Sequence, residues 1–358
     1  MRTRRALLAA LYVIGVLVFL EGALRLAFAS DAFFRLVASD DDASWRLTFV
    51  RNHSHHRGPY EGVDAYSPSR GWSPRPGLRD FPLRGGRVST NSRGLRGRRE
   101  YAYAKPPGTA RIVALGDSFT FGEEVDDADT FAERLAGELP GVEVLNLGVH
   151  GYGHDQMLLY LQEEGLRYEP DVVLLGFVGV DMARDERWFR DFAKPRFVLD
   201  GGALSLRNAP VPSPDDVLAQ EIRRPRLLDV LVMLRERVRV RTGAAHRERE
   251  ALTLALLERV RETAEAAGAA PVFLYVPVGG EIAQSEPSKH RRWLLAYCER
   301  HGVACVDPSD AFHARLKAGD RLRTVGHWDA QEHALAAGAI AAVLRERHLV
   351  PSRTRAHG

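Results

Sequence analysis

Cysteine is nearly absent from these 358 residues, which hold only Cys298 and Cys305. That excludes a disulfide framework and a cysteine-rich zinc site, and leaves two free, partly buried thiols as the expectation. Lysine is almost as scarce. Lys105, Lys194, Lys289 and Lys317 are the only four, so the 50 basic side chains are mostly arginine. Excess charge is lacking too. The 50 basic residues face 47 acidic ones, a net of +3, which argues against a nucleic-acid binder with its basic face. No glycine-rich loop ends in Gly-Lys-Ser/Thr, so no phosphate-binding cofactor is expected. No metal is expected either. His53, His55 and His56 cluster in HSHHRG, but no partner cluster stands at ligand spacing, and the segment reads as a solvated loop.

What the chain does have begins at its start. Arg2, Arg4 and Arg5 precede an uncharged run from Ala6 to Leu20, and the apolar character continues through EGALRLAFA. Residues 1–29 therefore read as a signal anchor that crosses the inner (cytoplasmic) membrane once, with Glu21 and Arg25 four apart on one helical face. The basic residues ahead of the run keep the N-terminus inside and send the main domain to the extracytoplasmic side. The competing reading is a signal peptide ending at Ala27-Phe28-Ala29. Both export the rest of the chain.

Residues 30–105 read as a connecting region of loops and short strands, without strong helical periodicity and dense in proline and glycine. From Arg111 onward short apolar runs alternate with amphipathic ones. RIVALG, VEVLNLGV, PDVVLLGFVG, APVFLYVPV and VACVDP read as five strands. TFAERLAGEL, with Asp129 as N-cap, and HALAAGAIAAVLRERH are two of the intervening helices. The alternation predicts a three-layer α/β/α sandwich around a five-stranded, mainly parallel sheet over residues 106–350, with a helical insertion at about 183–245 and a tail at 351–358. In such sheets reacting groups gather at the carboxyl ends of the strands.

LGDSFTFG, Leu115 to Gly122, lies at such an end. Ser118 there is a candidate nucleophile with free backbone N–H groups beside it. It is not the G-x-S-x-G elbow, since Thr120 stands where the second glycine belongs.

GDSFTFG, NLGVHGYG (Asn146 to Gly153), PDVVLLGF and GHWDAQEH (Gly326 to His333), in that order, resemble the SGNH/GDSL hydrolase superfamily with its flavodoxin-like fold. Gly71-Trp72 and Thr90-Asn91-Ser92-Arg93-Gly94-Leu95-Arg96 resemble the membrane-anchored bacterial branch of it. The resemblance implies Ser118 as nucleophile and His327 as general base. It implies the N–H groups of Ser118 and Gly148 as oxyanion donors, with Asp117 and Asn146 structural at the site. His333 reads as a polar helix-starting residue.

Two positions depart from that family's pattern. Val180 stands where an oxyanion-donating Asn is usual, and Val325 and Thr324 stand where an Asp usually precedes the base. Losing one oxyanion donor costs roughly 10²–10³ in rate, and losing the orienting acid on the order of 10⁴. Asp329 and Asp181, with Asp320 and Asp310 behind them, are the candidate substitutes. Three functions follow: an esterase acting on an ester, such as an O-acylated envelope carbohydrate; a degenerate binding module; or an O-acetyltransferase of envelope polysaccharide. The expected partners are the membrane and the ester or carbohydrate substrate, with no nucleic acid.

Overall fold

A computed structural model describes residues 2–52, 62–284 and 286–350. The expectations for His53, His55, His56 and the tail 351–358 fall outside them. Five strands form the central sheet: β1 (Ala110–Gly116), β2 (Val142–Gly148), β3 (Val172–Phe177), β4 (Ala270–Tyr275) and β5 (Ala304–Val306). Their order is β5-β4-β3-β1-β2, and every pairing is parallel. The register sets Ile112 between Val144 of β2 and Val172 of β3.

The period of two explains the three layers. Val113, Leu115, Leu145, Leu147, Val173 and Leu175 face one side, against Leu158, Leu256 and Leu294 of the helices His154–Glu163, Ala244–Ala266 and Lys289–His301. Ile112, Ala114, Val144, Leu174 and Leu274 face the other, against Leu135, Phe312 and Ile340 of the helices Phe131–Glu138, Ser309–Lys317 and Ala330–Glu346. A sheet covered on both faces favours apolar residues on both sides of each strand, which is why the strands read as mostly apolar runs, with the buried Arg111–Glu143 pair and Asn146 as the polar exceptions in β1 and β2.

Some local expectations change. The cap of Phe131–Glu138 is Thr130, whose hydroxyl accepts from Glu133 N at 3.3 Å, rather than Asp129. Asp129 sits one residue earlier in a 3₁₀ turn and pairs with Arg134 at 2.6 Å. His333 does not start its helix, because Asp329 is the cap and His333 lies a turn inside, fully buried. Its Nδ1 accepts the Phe131 N–H at 3.1 Å, and burial pushes its pKa down to about 3. The region 30–105 contains helices at Asp31–Val37 and Asp42–Asn52 before its hairpins. They lacked a helical signature because what covers them is remote: Ala43 and Leu47 are buried together with Met233 of the insertion.

The helix Arg2–Ala29 is long and apolar enough to cross a membrane, and the apolar side chains from Leu7 to Leu20 are exposed, while Phe28 near its end is buried. The insertion runs through two hairpins and the helices Pro214–Arg223 and Arg226–Arg241. Cys298 and Cys305 are both free.

Candidate active site

Ser118 is the first residue of a single helical turn, Ser118–Phe121, that follows β1 directly. Asp117 caps it, accepting the Phe119 N–H on Oδ1 at 2.9 Å. A first-turn N–H has no intrahelical acceptor, so that of Ser118 is oriented outward from the helix end. The turn packs tightly on β2. A Cβ on Gly148 would come within 2.3 Å of Phe121 N, so only glycine fits there. Asn146 stitches the two together, donating from Nδ2 to Thr120 O at 2.7 Å and accepting the Gly148 N–H on Oδ1 at 2.9 Å.

That last bond corrects one expectation. The Gly148 N–H is occupied within β2 and cannot be aimed at an oxyanion. Gly148 acts through its missing side chain.

His327 arrives from the loop before the last helix. Trp328 fixes it from behind, fully buried and donating Nε1–H to Pro277 O at 3.0 Å. The Phe119 ring lies 4.7 Å from the imidazole, centroid to centroid. His327 Nε2 is 2.8 Å from Ser118 Oγ. Its other nitrogen, Nδ1, is 3.1 Å from Glu124 Oε1. Both contacts are satisfied by one tautomer: Nδ1–H donates to Glu124, and Nε2 accepts from the serine hydroxyl.

Glu124 is the residue that sequence reasoning missed. The acid does not precede the histidine but follows the serine. Gly122 ends the Ser118 turn in the left-handed region, at φ +76°, and so turns the chain back toward His327. Arg96, the last residue of TNSRGLR, clamps this segment. Its guanidinium donates to the carbonyls of Phe121 (3.0 Å) and Val125 (2.9 Å) and pairs with Asp127. Arg323 holds the second oxygen of Glu124. The available signal was the pair Glu123-Glu124 one turn after the serine, in a stretch already marked by GDSFTFG.

The proposed substitutes are engaged elsewhere. Asp329 caps its own helix through Gln331 N at 2.8 Å. Asp181 is buried and pairs with Arg184 at 2.5 Å. Burial pushes its carboxyl well above the usual range, against the pull of Arg184 and with the nearby charge of Asp117 adding to it. Asp320 accepts from Gln331 Nε2 at 2.7 Å, and Asp310 lies at 3.5 Å from Arg291. Neither valine blocks anything. Val325 is 82% exposed and Val180 54% exposed.

Glu123 stands on the opposite side of the imidazole. Its Oε2 is 3.3 Å from His150 Nδ1 and 3.5 Å from His327 Nε2, and its Oε1 is 2.6 Å from Arg84. Burial pushes its pKa up, but the His150 hydrogen bond and the surrounding positive charge prevail and hold it low. Beneath the serine, Arg184 bridges Asp117 Oδ2 (3.1 Å) and Asp181, and donates to Tyr152 O (3.0 Å). A further buried tier pairs His154 with Asp185 at 2.9 Å and Lys194 with Asp155. Trp72, from the Gly-Trp pair, donates to His150 O at 2.8 Å and so helps hold the turn after β2.

A hydroxyl, an imidazole and a carboxylate in line at the carboxyl ends of a parallel sheet can perform acyl transfer through serine. Residues 114–338 match the model of the GDSL-like lipase/acylhydrolase family, and the chain belongs to that family. Fold and family thus define the class: a hydrolase of ester bonds built on a three-layer α/β/α sandwich. No curated protein matches the sequence.

Among solved structures, the chain is similar to a lipolytic protein of the G-D-S-L family from Desulfitobacterium hafniense, at 15% identity and TM-score 0.37, over 66% of this chain and 100% of that one. It is also similar to a catalytic variant of an acetylxylan esterase from Geobacillus stearothermophilus, at 17% identity and TM-score 0.39, over 70% and 100%. A two-domain esterase active on acetylated mannans is matched at 13% identity and TM-score 0.40, over 68% of this chain and 51% of that one.

Proposed function

We propose that this hydrolase is an esterase anchored by Arg2–Ala29, with its catalytic domain on the extracytoplasmic side, and that it removes acyl groups from an envelope carbohydrate. The observation that carries the catalytic reading is the line from Glu124 through His327 to Ser118, with contacts of 3.1 and 2.8 Å. Ser118 Oγ attacks the ester carbonyl while His327 Nε2 takes its proton. Glu124 holds the tautomer and balances the imidazolium that forms. The Ser118 N–H faces the developing oxyanion. The proton on Nε2 then passes to the departing alkoxide. A water enters, gives its proton to Nε2 and cleaves the acyl-serine, restoring Ser118. Glu124 supports an active enzyme over a degenerate module, because the orienting acid is supplied from another place. The support for a carbohydrate ester is the exported position that the anchor implies, beside envelope glycans.

The test is a serine-reactive fluorophosphonate on the purified full chain in detergent. The label is expected on Ser118 and absent from Ser118→Ala. Equal labelling of the two would refute the assignment. Acetate release from an acetylated xylan or mannan oligosaccharide then reports the substrate class, and no release with an aryl ester still cleaved would reject the carbohydrate.

A further inference from the structure

The insertion is fastened to the N-terminal helix at one level. Glu21 accepts the N–H groups of Arg226 (2.9 Å) and Leu227 (3.1 Å), the first two residues of the helix Arg226–Arg241. Arg25, paired with Glu21 at 2.8 Å, donates to the carbonyls of Ile222 (3.2 Å) and Arg224 (3.1 Å) at the end of the preceding helix. The corner between the two insertion helices is therefore at the height of Glu21 and Arg25. Helix geometry gives that height. From Ala6 to Arg25 the chain advances nineteen residues, about 28 Å at ~1.5 Å each, against a hydrocarbon core of about 30 Å. With Arg2, Arg4 and Arg5 at one membrane surface, the corner emerges at the other.

Its side chains suit that place. Ile222, Leu228, Leu231 and Leu234 are all exposed, Leu231 by 60%. The last three recur every third residue, so they form one stripe along the helix. Arg223, also exposed, lies at the same corner. An apolar stripe flanked by arginine is the composition of a segment that sits at the boundary of headgroups and acyl chains. A continuous apolar patch left open beside an anchoring helix has the bilayer itself as its nearest apolar phase.

We propose that this corner is a second membrane contact. Ile222, Leu228 and Leu231 enter the boundary of the outer-facing leaflet beside the spanning helix, and Arg223 meets the lipid phosphates. The domain is then held at one height and tilt instead of swinging on a single helix. The proposal rests on the reading of Arg2–Ala29 as a retained span.

The experiment places an environment-sensitive fluorophore on single introduced cysteines of the full chain, with Cys298 and Cys305 replaced by alanine, in phosphatidylglycerol/phosphatidylcholine vesicles. Acyl chains brominated at two depths, near the headgroup and near the chain end, serve as quenchers. A probe at Leu231→Cys is expected to lose fluorescence to a degree comparable with one at Val16→Cys in the span, while one at Asp310→Cys on the sheet domain loses none. Quenching at Val16 without quenching at Leu231 would overturn the second contact and leave the span intact. No quenching at Val16 would overturn both. Shielding of Leu231 from aqueous iodide without quenching by bromolipid would mean that protein covers the stripe, and would also overturn the proposal.

Discussion

Replacing Glu124 by glutamine removes one charge and little volume from the proposed site. The carboxylate is 3.1 Å from His327 Nδ1, and its side chain is 14% exposed. An amide in its place either accepts the same proton weakly or turns its NH₂ to the ring and favours the wrong tautomer. In a fully buried triad that loss costs about 10⁴. Glu124 is partly solvated and already shares its charge with Arg323, so it stabilises the imidazolium less. Glu123, 3.5 Å from Nε2, supplies part of the missing field. The expected loss in kcat/KM is therefore about 10²–10³, or ~2.7–4.1 kcal/mol at ~1.36 kcal/mol per tenfold.

The assay is hydrolysis of a short-chain aryl acetate by Glu124→Gln beside the parent, with Tm measured on both to confirm the fold. Glu123→Gln serves as the second arm. It leaves the Nδ1 contact intact and is expected to cost less than Glu124→Gln. A loss below about threefold in a folded Glu124→Gln, ~0.65 kcal/mol, would refute Glu124 as the orienting acid. A larger loss in Glu123→Gln would transfer that role to its neighbour.

Val325→Asp is expected to leave kcat/KM within about twofold, because the Nδ1 acceptor is already in place, and a tenfold gain on the aryl ester would contradict that. Val180→Asn is expected to raise kcat/KM by about tenfold by adding an oxyanion donor. Val180 is half exposed, so the amide carries no burial cost, and an unchanged rate would show that the position does not face the oxyanion. His333 is neutral in the fold, with a pKa near 3, so an unfolded chain binds an extra proton between about pH 6.5 and 3. Its contribution is full above that window and falls with falling pH. The Tm difference between parent and His333→Gln should therefore shrink from pH 7 to pH 4, and a constant difference would refute the linkage. Lys194→Met leaves Asp155 buried without its cation and should cost about 3–5 kcal/mol in urea unfolding, whereas Lys194→Met with Asp155→Leu should recover most of it.

The sheet was legible because burial on both faces forces a strong signal. Each strand is a mostly apolar run of three to seven residues that ends at a glycine or turn, the pattern of a strand buried on both faces. Ser118 and His327 were legible for a related reason, since each sits in a short motif at the end of such an element. The helix Asp42–Asn52 was not. DASWRLTFVRN buries Ala43, Ser44, Leu47 and Phe49, but against residues far along the chain, and no local period announces a partner almost two hundred positions away. Thr130 displaced Asp129 as a cap for a similar reason. Two adjacent polar residues both satisfy the local rule, and the 3₁₀ turn Asp127–Asp129, which takes up Asp129, decides.

Glu124 marks where a pattern read along the chain gives way to geometry in space. An imidazole Nδ1 needs an acceptor in its plane about 3 Å away, and nothing in that requirement fixes which segment brings it. A residue just before the histidine is one solution. Here that place holds Val325, pointing into solvent, and the acceptor comes from the opposite side on the turn after the serine. Such a turn is a poor platform on its own, with a left-handed glycine at its start and few apolar anchors. The chain makes it rigid from outside, through Arg96 on the carbonyls of Phe121 and Val125 and through Arg323 on the carboxylate itself. If the acid is carried on this clamped turn, the segment Thr90–Arg96 belongs to the catalytic apparatus although it touches no reacting atom. Arg96→Met should then lower kcat more than KM, because the clamp orients the base and does not meet the substrate. An unchanged kcat in the folded variant would show that the turn holds Glu124 without it.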